Sequence, residues 1–196
     1  LRAKHDSVLI ATGVYKSREI EIPGQNLKNI FPAMEFLTAS NNKGLGDKVT
    51  LFDDGTLNAE GKNVIVIGGG DTAMDCVRTA IRQKASSVKC LYRRDRENMP
   101  GSSREVSNAI EEGVEFIWLS SPKKFLGNGK VNEVEVNKMI LGQPDSSGRK
   151  KPLTQPGSEF KLPADLVIKS LGFDPENLPK LFNSEELAIS KWGTIK

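Results

Sequence analysis

Apolar residues gather into short runs along this chain, and the runs alternate in character. Asn63 to Ile67 reads Asn-Val-Ile-Val-Ile, the pattern of a strand buried on both faces. It breaks into Gly68-Gly69-Gly70, after which Thr72 to Gln83 reads as a helix. Ser87 to Tyr92 is a second strand. Arg104 to Glu112 is a second helix, stopped by Gly113, a residue suited to the position just past a helix, and Val114 to Leu119 is a third strand. Strands and helices alternating with short links predict a parallel sheet.

The flanks read differently. Ser7 to Ile10 has the pattern of a buried strand, with Ala11-Thr12-Gly13 as its exit, and a strand flanked by so little chain needs partners from elsewhere. Pro23-Gly24 marks a turn, and Ala33 to Ala39 a short helix after Pro32. Asn41 to Gly61, rich in Gly, Asn, Asp and Lys, reads as a loop or linker, although Lys48 to Phe52 can pair as a strand. Past Leu119, polar and apolar residues alternate on both sides of Gly127-Asn128-Gly129-Lys130, a hairpin signal. Gly142 to Phe160 reads as a polar, turn-rich loop. Leu166 to Ser170 is again a buried strand, with Leu171-Gly172 at its exit. The stretch from Val8 to Gly13 echoes that from Val167 to Gly172.

The three glycines carry the chemistry. Gly68-x-Gly70-x-x-Ala73 follows a strand and opens a helix. Gly68 permits a tight turn, Gly70 lets a pyrophosphate rest against the backbone, and the small Ala73 lets the helix pack close to the strand. The helix start then offers free N–H groups and a positive dipole end to phosphates. Asp71 and Thr72 sit at that start, where capping is their plainest role. This arrangement points to dinucleotide binding, and the absence of a Gly-Lys-Ser/Thr ending disfavours nucleotide hydrolysis. The residue that follows the second strand decides which dinucleotide. An acid there binds the ribose hydroxyls of NAD, but this chain has Arg93 and Arg94, about 20 residues past Ala73. A guanidinium there suits the 2′-phosphate of NADP. The alternative for both is a solvated charged loop, as for Asp95, Arg96 and Glu97.

Composition narrows the remaining classes. A net charge of +3 over 196 residues is too small to argue for nucleic acid or an anionic membrane as partner. Cys76 and Cys90 lack metal or disulfide spacing and are expected to be buried free thiols, so no metal site is expected. His5 is the only histidine, and no acid–base or nucleophilic constellation surrounds it, so no catalytic residue is expected. No run is long enough to span a bilayer, and a cytoplasmic location is the default expectation.

Four segments taken in order, His5–Gly13, Val64–Gln83, Tyr92–Val106 and Ala164–Glu176, resemble the small subunits of NADPH-dependent bacterial glutamate synthases over essentially the whole chain. The combination of Gly68–Asp75 with Tyr92–Ser102 is far more specific than the glycine spacing alone. Dihydropyrimidine dehydrogenase and ferredoxin:NADP-type transhydrogenase subunits share it more loosely. The resemblance implies an α/β fold, a Rossmann-like three-layer NADPH-binding domain with a parallel sheet and an added antiparallel β-hairpin or meander. It divides the chain into a remnant FAD-domain strand at 1–13, a linker and short helix at 14–61, the NADPH-binding domain at 62–175 and a return segment at 176–196. It implies that Gly69, Gly70, Asp71 and Thr72 line the pyrophosphate, that Arg93 and Arg94 meet the 2′-phosphate, and that Ser170, Leu171 and Gly172 border the nicotinamide half. For that last trio an ordinary strand exit is the alternative.

The family's FAD fingerprint, its C-terminal FAD segment and its iron–sulfur cysteine clusters do not occur in this sequence. The expectation is an excised module that binds NADP(H) and catalyses nothing. FAD, iron–sulfur clusters and the large-subunit partner would belong to the full-length enzyme, which moves hydride from NADPH to FAD for glutamate synthesis from glutamine and 2-oxoglutarate. The alternatives are the NADPH domain of one of the looser relatives, a non-catalytic nicotinamide sensor, and an interaction domain docking through Asn41–Gly61 and Asp145–Gly157.

Overall fold

A computed structural model describes residues 2–144 and 148–196 and divides them into two compact units. The larger runs from Glu19 to Gly172. Its elements in chain order are β1 (Ile30–Pro32), α1 (Ala33–Gly44), α2 (Thr50–Asp53), β2 (Asn63–Ile67), α3 (Asp71–Arg82), β3 (Ser87–Leu91), α4 (Ser103–Glu111), β4 (Glu115–Ile117), β5 (Ser120–Asn128), β6 (Lys130–Pro144), β7 (Lys150–Thr154), β8 (Phe160–Pro163) and β9 (Leu166–Lys169).

Five of these strands form one parallel sheet in the order β1-β9-β2-β3-β4. Successive side chains of a strand point to opposite faces, and here both faces are covered. Val64 and Val66 of β2, Val88 and Cys90 of β3, and Leu166 and Ile168 of β9 pack with Phe36 of α1, Met74 and Val77 of α3 and Val106 of α4. Ile65 and Ile67 of β2, Leu91 of β3 and Val167 of β9 pack instead with Phe125 of β5 and Val131, Val134 and Val136 of β6. The second face is therefore closed by an antiparallel sheet in which β5, β7 and β8 all pair with β6. The result is the expected three-layer α/β arrangement: helices, parallel sheet, meander. Because both faces are buried, β2 and β9 carry unbroken apolar runs instead of an alternating pattern.

The two helices beside the glycines are joined by charge. Arg78 of α3 donates to Glu105 of α4 and, through Nε at 2.9 Å and Nη2 at 2.7 Å, to Glu112 just past it. Arg82 reaches the same Glu112 oxygen at 3.2 Å.

Three segments depart from the sequence expectation. α1 continues through Asn41 to Gly44, and α2 occupies Thr50–Asp53 where a strand was considered. Far from a free linker, 41–61 is packed: Leu57 and Ala59 are buried, the Ala59 amide donates to Gln83 Oε1 at 2.8 Å, and Lys62 Nζ holds the Gly55 and Thr56 carbonyls. Its polar residues cover an exposed helix face, which is why composition alone reads as loop. Within the turn-rich stretch 142–160, residues 145–147 of the proposed Asp145–Gly157 docking loop lie outside the described residues, but Lys150–Thr154 is strand β7. Lysines and Pro152 disguised it, because an edge strand tolerates both.

The smaller unit comprises residues up to Arg18 together with Phe173–Lys196. Lys16–Ser17 pairs antiparallel with Phe173–Asp174, and Arg18 Nε donates to Asp174 Oδ1 at 2.7 Å. The strand expected at Ser7–Ile10 is not formed. Leu9 is 90% exposed and Val8 is also exposed, so the apolar run has no neighbouring ladder among the described residues.

Candidate functional site

The strand order reverses at β2: the chain moves from β2 outward to β3 and β4, then returns to place β9 on the other side. In open α/β sheets the crevice at such a reversal, beyond the carboxyl ends of the strands, is where ligands bind. The residues at that place are Gly68–Gly70 after β2, Tyr92–Arg94 after β3 and Ser170–Gly172 after β9.

The three glycines have three different physical reasons. Gly68 holds φ at +147°, and a Cβ on it would overlap the backbone carbonyl of Ser170, so it serves the fold by letting β2 and β9 exit side by side. The Ser170 amide donates to Ile67 O at 2.8 Å across the same junction. A Cβ on Gly69 would enter the ring of Tyr92, so this glycine admits the β3 exit. Gly70 is different. It precedes α3 with an ordinary φ of −93°, and a Cβ there would meet nothing within 4 Å. Neither backbone conformation nor packing within the chain calls for glycine at 70, and the space above it adjoins the unpaired amides of the helix start. That is the clearance a phosphate needs to approach a backbone.

Ala73 is fully buried against the strand, and its amide donates to Gly70 O at 2.9 Å. Thr72 is half-buried. Asp71 is exposed and does not cap its own helix; its Oδ1 accepts the Ser102 amide at 2.8 Å. The Gly101 amide donates to Gly69 O at 2.9 Å. Together these two bonds fasten the 93–102 loop to the glycine loop. The loop is stiffened further by Tyr92, whose hydroxyl donates to Asn98 O at 2.9 Å, and by Asp95, whose Oδ1 accepts from Asn98 N at 3.0 Å and Nδ2 at 2.6 Å. The Asn98 bonds hold the Asp95 carboxyl below its usual range, and the positive charge of Lys150 adds to that effect. Tyr92, Gly101 and Ser102 were not singled out from the sequence. Their signal in the sequence was membership of the Tyr92–Ser102 segment that carries the family resemblance.

The two arginines part company. Arg93 is exposed at the strand exit, whereas Arg94 is 5% exposed and its Nε donates to the backbone carbonyl of Lys150 at 2.8 Å. At this bend after β3 the two side chains differ in burial, that of Arg93 facing solvent and that of Arg94 enclosed. Ser170 is buried, Leu171 and Gly172 are half-buried, and Gly172 holds φ at +87°.

Both cysteines are buried, and burial pushes the thiols up, that of Cys90 to about 12. Among the described residues no group of three or more His, Cys, Asp or Glu side chains could hold a metal ion, and no helix is long and apolar enough to cross a membrane. A cavity of about 560 Å³ opens between α1 and α2, lined by Met34, Thr38, Val49, Leu51 and Leu57, with none of the glycine-loop residues in its wall.

Comparison with known proteins gives the family and the fold. The family model described as pyridine nucleotide-disulphide oxidoreductase matches residues 1–196. The chain is 58% identical over 195 residues to the glutamate synthase [NADPH] small chain of Azospirillum brasilense, and 43% identical over 196 residues to that of Halomonas elongata. The matches cover all of this chain but only 40% and 41% of those relatives, so the chain spans less than half their length. Among solved structures, FprA, a Mycobacterium tuberculosis oxidoreductase studied with a covalently modified NADP+, superposes with a TM-score of 0.70 at 20% identity, covering 89% of this chain and 52% of that one. At that identity the likeness speaks for the fold.

Proposed function

The chain belongs to the pyridine nucleotide-disulphide oxidoreductase family, and from that premise we propose that it is the NADP(H)-binding module of a glutamate synthase small subunit. The observation that carries this reading is Gly70, a glycine with no steric or conformational need of its own, set at the start of a helix where the sheet order reverses. The backbone of Gly69, Gly70, Asp71 and Thr72 would hold the pyrophosphate. Arg93, exposed at the β3 exit, would meet the adenosine 2′-phosphate, and Ser170, Leu171 and Gly172 would border the nicotinamide half. Bound NADPH supplies a hydride that a flavin accepts. The residues of this chain bind and orient: the Asp71–Ser102 and Gly101–Gly69 bonds keep the two loops in register, and no side chain is assigned a proton transfer.

In the whole protein the electrons would pass from NADPH to FAD and, with the large subunit, on to glutamate formation from glutamine and 2-oxoglutarate. The two buried cysteines do not fit an iron–sulfur centre, so such clusters, like the FAD site, are assigned to other segments of a longer protein.

Thermal unfolding with and without cofactor tests the reading. A ligand that binds only the folded state stabilises by RT ln(1 + [L]/Kd), about 2.7 kcal/mol at a hundredfold excess over Kd. NADP+ and NADPH raise the unfolding temperature well above the shift given by NAD+ and NADH. The chain with added FAD, glutamine and 2-oxoglutarate does not oxidise NADPH. Equal shifts with both cofactor pairs refute the NADP assignment, and turnover by the chain alone refutes its description as a binding module.

A further inference from the structure

The burial of Arg94 raises the question of what supplies the second positive charge that a phosphate dianion calls for. The buried guanidinium ties the carbonyl of Lys150, the first residue of β7, to the exit of β3. The β-meander is thereby pinned to the loop that presents Arg93. The Lys150 side chain is exposed and makes no ion pair among the described residues. The Arg94 bond sets the start of β7 beside this loop, and the positive charge of Lys150 adds to the lowering of the Asp95 carboxyl, the residue after Arg94. Asp95 accepts both Asn98 hydrogen bonds at Oδ1, and no ion pair joins it to Lys150 among the described residues.

We propose that Lys150 is the second cation of the 2′-phosphate site, facing the same ligand group as Arg93, and that Arg94 is the residue that positions it. This inference rests on the NADP(H) reading and extends it to an element outside the nucleotide-binding strands and helices. A phosphate monoester carries a charge of about −1.5 to −2 at neutral pH, so two cations from separate elements match it. The ribose hydroxyl of NAD presents no charge to either. Selectivity then depends on the meander as well as on the β3 exit. Arg94 contributes through its bond to the Lys150 carbonyl.

The test is calorimetric titration of NADP+ and NAD+ into this chain and its variants. Lys150→Gln weakens NADP+ about tenfold, the loss of one hydrogen bond to a charged group, and leaves NAD+ within about twofold. Lys151→Gln, on the next residue and the opposite face of the strand, leaves both unchanged. Arg94→Ala also weakens NADP+, and combining it with Lys150→Gln adds little further loss, because one change acts through the other. Added salt narrows the preference for NADP+ in the parent chain more than in Lys150→Gln.

If Lys150→Gln binds NADP+ as the parent does while Arg93→Gln loses the preference, the proposal is overturned and the NADP(H) reading stands. If Arg94→Ala and Lys150→Gln are fully additive, Arg94 is not a positioning residue. If the parent binds both cofactors equally, the NADP(H) reading falls and this proposal with it. Should Arg94→Ala fail to fold, Lys150→Gln, an exposed change, still decides whether the second cation is there.

Discussion

Replacing Gly70 by alanine separates a glycine kept for a ligand from one kept for the fold. The added methyl group meets no atom within 4 Å, and φ of −93° is available to alanine. Two small effects remain. Alanine is a poorer residue than glycine just before a helix, by roughly 0.5–1 kcal/mol, and it restricts the unfolded chain, which stabilises by about 0.4–1 kcal/mol. They nearly cancel, so stability by urea unfolding stays within about 0.5 kcal/mol of the parent. Binding does not cancel. A methyl group between backbone and pyrophosphate removes at least one charge-assisted amide bond, worth about 1.5–3 kcal/mol, or roughly 10- to 150-fold in Kd for NADP+ by calorimetry. Gly68→Ala supplies the contrast. It forces alanine to φ of +147° with its Cβ inside the Ser170 carbonyl, and lowers stability by about 2–4 kcal/mol. A Gly70→Ala chain that keeps NADP+ affinity within about twofold refutes the argument that the space above Gly70 is a phosphate site. One that unfolds refutes the claim that the fold does not need this glycine.

Two further outcomes follow from the buried and paired groups. Cys76 and Cys90 stay unmodified by a thiol reagent at neutral pH and both react once the chain is unfolded in guanidinium, because burial excludes the reagent and raises both thiols; modification of the folded chain at the rate of a free thiol refutes this. Glu112 is held below its ordinary value of 4.5, chiefly by the Arg78 hydrogen bond with Arg82 adding, so its stabilisation is complete above pH 4.5 and is lost as pH falls through the depressed folded value. The gap in unfolding temperature between the parent and Glu112→Gln therefore closes on acidification from about pH 7 to about pH 3, and a gap constant over that range refutes the pairing.

Much of the fold around the candidate site was legible before the structure. The buried strand, the glycine spacing and the helix after it predict the strand–turn–helix that forms because each follows from local chemistry: an apolar run suits a strand covered on both faces, and the small Ala73 lets the helix pack against the strand. The hairpin at Gly127–Lys130 was equally local, and β5 and β6 meet there. The succession β2, α3, β3, α4, β4 and the β5–β6 hairpin therefore followed from the sequence by itself.

Other features depended on residues far apart in the chain. Asn41 to Gly61 looked like a linker because its polar residues face water, and only Leu57, Ala59 and the Gln83 contacts reveal it as packed structure. Strand β7 was hidden because an edge strand needs no apolar pattern when β6 supplies its ladder. Ser7 to Ile10 erred in the opposite direction: an apolar run is a strand only where a neighbour pairs with it. The arginines show the same division at the scale of one side chain. Their positions near the end of β3 could be read from spacing, but the burial of Arg94 and its bond to Lys150 56 residues away could not. Sequence determines what each segment is suited to form; tertiary structure decides which segment meets it, because the groups that satisfy a buried donor or complete a sheet edge come from elsewhere in the chain.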